Sequence, residues 1–94
     1  MKIPKKIKIL GHYIDIIVQN RLNEAGTNKL GTDVGSMNKI FINSDQAASQ
    51  QESTLLHEII ENINWQLNLG FEEKTICQLE AALYQVLKDN LLKL

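Results

Sequence analysis

Apolar and polar positions change rhythm halfway along this chain. In the first half the apolar residues come in short runs. Ile7 to Leu10 alternates with lysine, and Gly11 interrupts it. Tyr13, Ile14, Ile16, Ile17 and Val18 follow, broken only by Asp15. Leu30 to Gly35 is a weaker run with Gly31 and Gly35 at its flanks, and Lys39 to Asn43 reads Lys-Ile-Phe-Ile-Asn. β-Branched and aromatic side chains suit a pleated, half-buried surface, so these runs predict strands. Asn20 to Lys29 has the composition of a surface excursion, with room for a helical turn around Leu22, and Ser36-Met37-Asn38 is turn-like. Strands separated by short turns predict a small antiparallel sheet or meander of three or four strands.

The second half has helical spacing. Leu56, Ile59, Ile60, Ile63 and Leu67 make one apolar stripe. Ser49-Gln50-Gln51-Glu52 matches a capping box before it, and Gly70 fits a left-handed helix terminus. A second stripe, Ile76, Leu79, Leu83, Val86 and Leu87, follows Glu72 and Glu73, acids suited to the positive end of a helix dipole. Helices are therefore predicted over about 50–69 and 72–90, joined by a loop short enough to make them antiparallel neighbours. Strands first and a helix pair second define an α+β class.

Composition narrows this little. The chain has 94 residues, 44% of them hydrophobic, which is one domain over 1–94 with a thin core. The net charge of -1 argues against bulk nucleic-acid binding. The charge is unevenly spread: Lys2, Lys5, Lys6 and Lys8 crowd the start, whereas Glu52, Glu58, Glu61, Glu72, Glu73 and Glu80 face a single Lys74. The lysines read as a solvated arm or a guarded edge strand. The single cysteine, Cys77, excludes an internal disulfide. No apolar run approaches the ~20 residues of a membrane span, and no signal peptide is recognisable, so a cytoplasmic protein is expected. Leu91, Leu92 and Leu94 leave a dimer open.

The candidate chemistry sits on the first helix. His57, Glu61 and Asn64 fall at i, i+4 and i+7 and share a face, with Glu58 about 100° around from His57. The string His57-Glu58-Ile59-Ile60-Glu61 departs by one residue from the zinc-protease pattern H-E-x-x-H, in which two histidines bind the metal and the glutamate is the general base. A carboxylate ligates Zn²⁺ at about the same distance as imidazole, so His57 and Glu61 can form a one-turn chelate. A third ligand would come from Cys77, Glu80 or Tyr84 on the second helix, or less readily from His12. H-E-x-x-E also arises on ordinary amphipathic helices, where it is only a polar face. Trp65 and Tyr84 read as packing residues with a polar end near water, Cys77 as a small buried hydrophobe, and Asn62 and Asn64 as solvated positions.

The stretch from Phe41 to Asn90 resembles small proteins encoded by bacteriophages and prophages of low-GC Gram-positive bacteria. The matching pieces are Ile42-Asn43-Ser44, Gln50-Gln51-Glu52, Thr54-Leu55-Leu56-His57-Glu58-Ile59-Ile60 and Leu83-Tyr84-Gln85-Val86-Leu87-Lys88-Asp89-Asn90, with the opening Ile3-Pro4-Lys5 and Ile7. Those proteins are similar to a minimal zincin-like metallopeptidase domain. The resemblance implies a zinc site with His57 as a ligand and Glu58 as the general base. It also implies a glutamate on the second helix as third ligand, at the position of Cys77, one turn before Glu80. Glu61 and Cys77 depart from that pattern. The resemblance further implies an edge strand beside the helix, for which Lys39 to Asn43 is the candidate, where an extended peptide or a host or phage protein would pair. Three readings stand: a zincin-like scaffold in a bacterial host cell with a degenerate or residual metal site and no peptidase activity; an active small zinc peptidase using Glu58; and an unrelated α+β module binding protein or nucleic acid.

Overall fold

The computed structural model describes residues 3–20 and 29–90. They form the expected α+β domain: β1 (Lys6–Ile9), β2 (His12–Gln19), β3 (Gly31–Val34), a 3-10 turn (Gly35–Met37), β4 (Lys39–Asn43), α1 (Ala48–Leu67) and α2 (Glu73–Asp89). The leucines at 91, 92 and 94, the segment 21–28 and Lys2 lie outside the described residues. None of the described helices is long and apolar enough to cross a membrane.

The sheet runs β1-β2-β4-β3. β1 and β2 form a hairpin whose two-residue turn places Leu10 at φ 50° and Gly11 at φ 89°, the pair of positive φ values that matches the twist of the flanking strands. β3 is antiparallel to β4, but β2 and β4 are parallel, pairing Asp15 with Lys39 through Gln19 with Asn43. The sheet is thus mixed and not wholly antiparallel. The chain crosses from β2 to the far edge, makes β3, and returns through β4 into the middle. β4, read from the sequence as the edge strand, is therefore paired on both sides, and β1 and β3 are the edges among the described residues, β3 being the one next to β4.

Alternation sorts the sheet's faces. Ile14, Ile16, Ile40 and Ile42 point toward α1 and are buried with Ile9 and Leu55, while Ile3, Ile7, Ile59 and Ile63 close the margins. Tyr13 and Asp15 lie on the opposite face, where the ammonium groups of Lys8 and Lys6 stand 5.3 and 6.0 Å from the Tyr13 ring centre.

Ser49 and Glu52 do not make the predicted capping box. α1 starts two residues earlier, and its cap residue Ala47 makes no side-chain cap bond. Its entry is held instead by Asn43, which accepts from the Asp45 amide at 2.9 Å and donates to the Lys29 carbonyl at 3.1 Å, and by Gln46, which donates to the Asn43 carbonyl at 2.8 Å. Glu52 is instead buried, accepting from the Tyr84 hydroxyl at 2.7 Å and from the Lys88 ammonium at 2.9 Å. α1 ends at Leu67 with Asn68 in the left-handed conformation (φ 52°), and Gly70 follows at φ 72°. Asn68, not Gly70, is therefore the cap. α2 packs against α1 and makes no substantial contact with the sheet. Ile76 is its single buried residue, and Leu83 and Val86 of the predicted stripe remain exposed.

Candidate functional site

α1 and α2 bring four carboxylates around one imidazole. His57 occupies the α1 face toward α2, as its spacing with Glu61 predicts. Its Nδ1 lies 2.7 Å from Glu80 Oε1, and its Nε2 lies 2.9 Å from Glu73 Oε1 and 3.9 Å from Glu61 Oε1. The hydroxyl of Ser53 donates to the other Glu80 oxygen. Carboxylates accept, so hydrogen bonds at both ring nitrogens require the doubly protonated imidazolium. The electrostatics agree: desolvation works to lower the His57 pKa, but the Glu80 hydrogen bond and the charges of Glu58, Glu73 and Glu80 raise it overall.

The carboxylates bear the reciprocal cost of crowding. Glu61 is pushed up by burial and by its hydrogen bond with the Glu73 carboxyl. Glu58 is 7% exposed. It lies under the edge strand, where a Cβ on Gly31 would stand 3.1 Å from Glu58 Cγ and 2.6 Å from Thr54 Cγ2, so glycine permits the close approach of β3 to α1. Burial, reinforced by Glu61, Asp33 and Glu73 and opposed by His57, raises the Glu58 pKa to about 7.

Two three-residue sets have ligand atoms within 4.8 Å of one another: His57, Glu61 and Glu73, and His57, Cys77 and Glu80. Of the residues predicted from the sequence, His57, Glu61, Cys77 and Glu80 are brought together. Cys77 is exposed, not a buried hydrophobe; it is the neighbouring Ile76 that α2 buries. Its Sγ lies 3.8 Å from Glu73 Oε1, and slight desolvation together with the neighbouring acids Glu73 and Glu80 raises its thiol pKa. His12 is exposed on β2 and joins neither set, and Tyr84 is engaged with Glu52.

Glu73 is the residue that sequence reasoning missed. Read only as a dipole partner, it stands at i, i+4 and i+7 with Cys77 and Glu80, and that spacing was the available signal. Asn62 was misread as solvated. It is fully buried, donating to Asp33 Oδ1 at 2.9 Å and accepting from Gln66 Nε2 at 2.6 Å. This network ties α1 to β3 beside the site. Burial raises the Asp33 pKa against the opposing Asn62 hydrogen bond.

What the arrangement can do chemically is bind a cation or move a proton. An imidazole nitrogen and two carboxylates form an N/O donor set suited to a divalent metal once His57 gives up its proton. Glu58, ionising near neutrality, can take up or release a proton in the physiological range. No family model, curated protein or solved structure matches this chain.

Proposed function

We propose that this chain is a zincin-like domain that binds a divalent metal, with Zn²⁺ the expected ion, and an extended peptide beside it, without being an efficient peptidase. The observation that carries this reading is the way His57 is held. A histidine that ligates metal through one nitrogen commonly donates its other N–H to a carboxylate, which fixes tautomer and ring direction. Glu80 stands in that position for Nδ1, itself oriented by Ser53. Nε2 then faces Glu61 and Glu73, which become the remaining ligands. In this reading Glu80 orients and does not ligate, and Cys77 stands outside the set.

The topology supports the peptide half of the proposal. β4 runs directly into α1, and antiparallel β3 flanks the helix at the sheet edge. A segment of a host or phage protein would extend the sheet along β3, replacing the expected partner strand 39–43. The donor set argues against efficient cleavage. Two carboxylates neutralise more of the metal's charge than the two-histidine, one-glutamate set of peptidases, so a bound metal would polarise an amide carbonyl less. The bacterial host cytoplasm remains the proposed location.

Equilibrium dialysis against zinc tests the metal. One ion per chain is expected, lost in His57→Ala and bound roughly 10–100-fold more weakly in Glu80→Gln, the usual effect of removing an orienting partner. Wild-type protein that binds no zinc, or binds it equally well in His57→Ala, refutes the proposal. A second reading, an active peptidase, is favoured by Glu58 alone, whose pKa of about 7 suits a general base. Zinc-dependent cleavage of an unstructured protein substrate, abolished by Glu58→Gln, would establish it.

A further inference from the structure

A cleft of about 540 Å³ opens between the end of α1 and the segment joining β3 to β4, beyond Glu61. Its walls include Asp33, Gly35, Glu61, Asn64, Trp65 and Asn68. We infer that this cleft takes the cationic side chain, arginine or lysine, of the bound peptide. The inference deepens the proposed peptide-binding reading and rests on it.

Three independent features favour a cation there. Trp65, the chain's one tryptophan, is 57% exposed although it is a large apolar residue. Its ring is fixed from behind: a Cβ on Gly35 would stand 2.5 Å from Cε3, so the ring lies directly on the glycine backbone. A fixed, solvent-facing indole is the best aromatic surface for a guanidinium or ammonium group. The lining is acidic. Asp33 and Glu61 both contribute to it, no lysine or arginine does among the described residues, and the one described cation near Glu61 is His57, at 3.9 Å. The cleft also lies at the C-terminal end of α1, where Asn68 caps the helix, so the helix dipole presents its negative pole. A neutral side chain would gain nothing from that field, and an acidic one would be repelled by it. A guanidinium would stack on Trp65 and hydrogen-bond Asp33, whose second oxygen is not the one given to Asn62.

Trp65 is also the reporter. Metal-free protein in EDTA is titrated with acetyl-Ala-Arg-Ala-amide and with its citrulline counterpart, a neutral near-isostere, while tryptophan fluorescence is read. The arginine peptide is expected to give a saturable change, and the citrulline peptide at least about fivefold weaker binding, the worth of one partly exposed charge contact. Asp33→Asn, which keeps the oxygen that accepts from Asn62, is expected to weaken the arginine peptide by a similar factor. Glu61→Gln gives the same test if that variant folds poorly. Equal responses to the two peptides, or no response to either, overturn the inference. Because metal is absent, a failure here is separate from a failure of zinc binding in dialysis, and success here does not depend on it.

Discussion

Replacing Glu58 with glutamine should flatten the dependence of stability on pH. The carboxyl is 7% exposed and held at about 7, against a value of 4.5 in the unfolded chain. A group whose folded pKa is raised contributes stability that is fully present below the unfolded value and is lost as pH climbs through the folded one. The full difference corresponds to about 3 kcal/mol, and roughly 2 kcal/mol of it falls between about pH 5.5 and pH 8.5. Burial leaves little solvent screening to discount. His57, shifted upward from 6.5, has the same sign and deepens the wild-type loss in this window; the upward shifts of Glu61 and Asp33 share that sign. Glutamine mimics the protonated acid at every pH, so Glu58→Gln removes its own component and also one of the charges that raises His57. Urea denaturation in EDTA at the two pH values measures this. The wild type should lose 2 kcal/mol or more on going to the alkaline condition, a large fraction of a small domain's total. Glu58→Gln should lose about 2 kcal/mol less. Equal losses in the two proteins would show that Glu58 ionises normally and that the reasoning about its burial is wrong.

Other perturbations probe the scaffold. Ile40→Ala, at a fully buried position on the central strand β4, should cost roughly 2–5 kcal/mol in denaturant unfolding. Tyr84→Phe removes a hydroxyl that donates to buried Glu52, and should cost about 1–3 kcal/mol in thermal unfolding. Despite desolvation, hydrogen bonds led by that from Lys88 lower Glu52 to about 2, so its stabilisation is present above the ordinary carboxylate range and is lost as pH falls toward 2. In Tyr84→Phe that acid loss should begin at higher pH. Gly35→Ala should drive the Trp65 ring off its seat, shift its emission spectrum and cost about 1–3 kcal/mol.

The elements were legible because each rests on local periodicity. Alternation along Ile14 and Ile16 and along Ile40 and Ile42 reports one buried sheet face, and the isoleucines at 59, 60 and 63 report a helix stripe. What periodicity does not encode is which strand neighbours which. The parallel pairing of β2 with β4 joins residues 24 apart, and the weak run Gly31–Val34 took the edge that the stronger run 39–43 seemed to own. His57, Glu61 and Glu80 were found because i, i+4 spacing and a one-turn offset place them on facing helix surfaces. Glu73 was missed because an acid in a helix's first turn has an adequate local explanation. Asn62 was misread because its partner, Asp33, lies 29 residues away on the sheet.

The attachment of α2 has a consequence for how the site behaves over time. α2 rests on α1 and leaves the sheet alone, yet it carries Glu73 and Glu80, which hold both nitrogens of His57. Sub-global opening can therefore release α2 while the sheet and α1 stay folded. Amide hydrogen exchange would register this as lower protection along α2 than along β2 and β4. A metal bridging His57 and Glu73 would staple the two cooperative units and raise protection across α2 toward that of the core. Ligand concentration would then set not only occupancy but the number of units in which the chain unfolds.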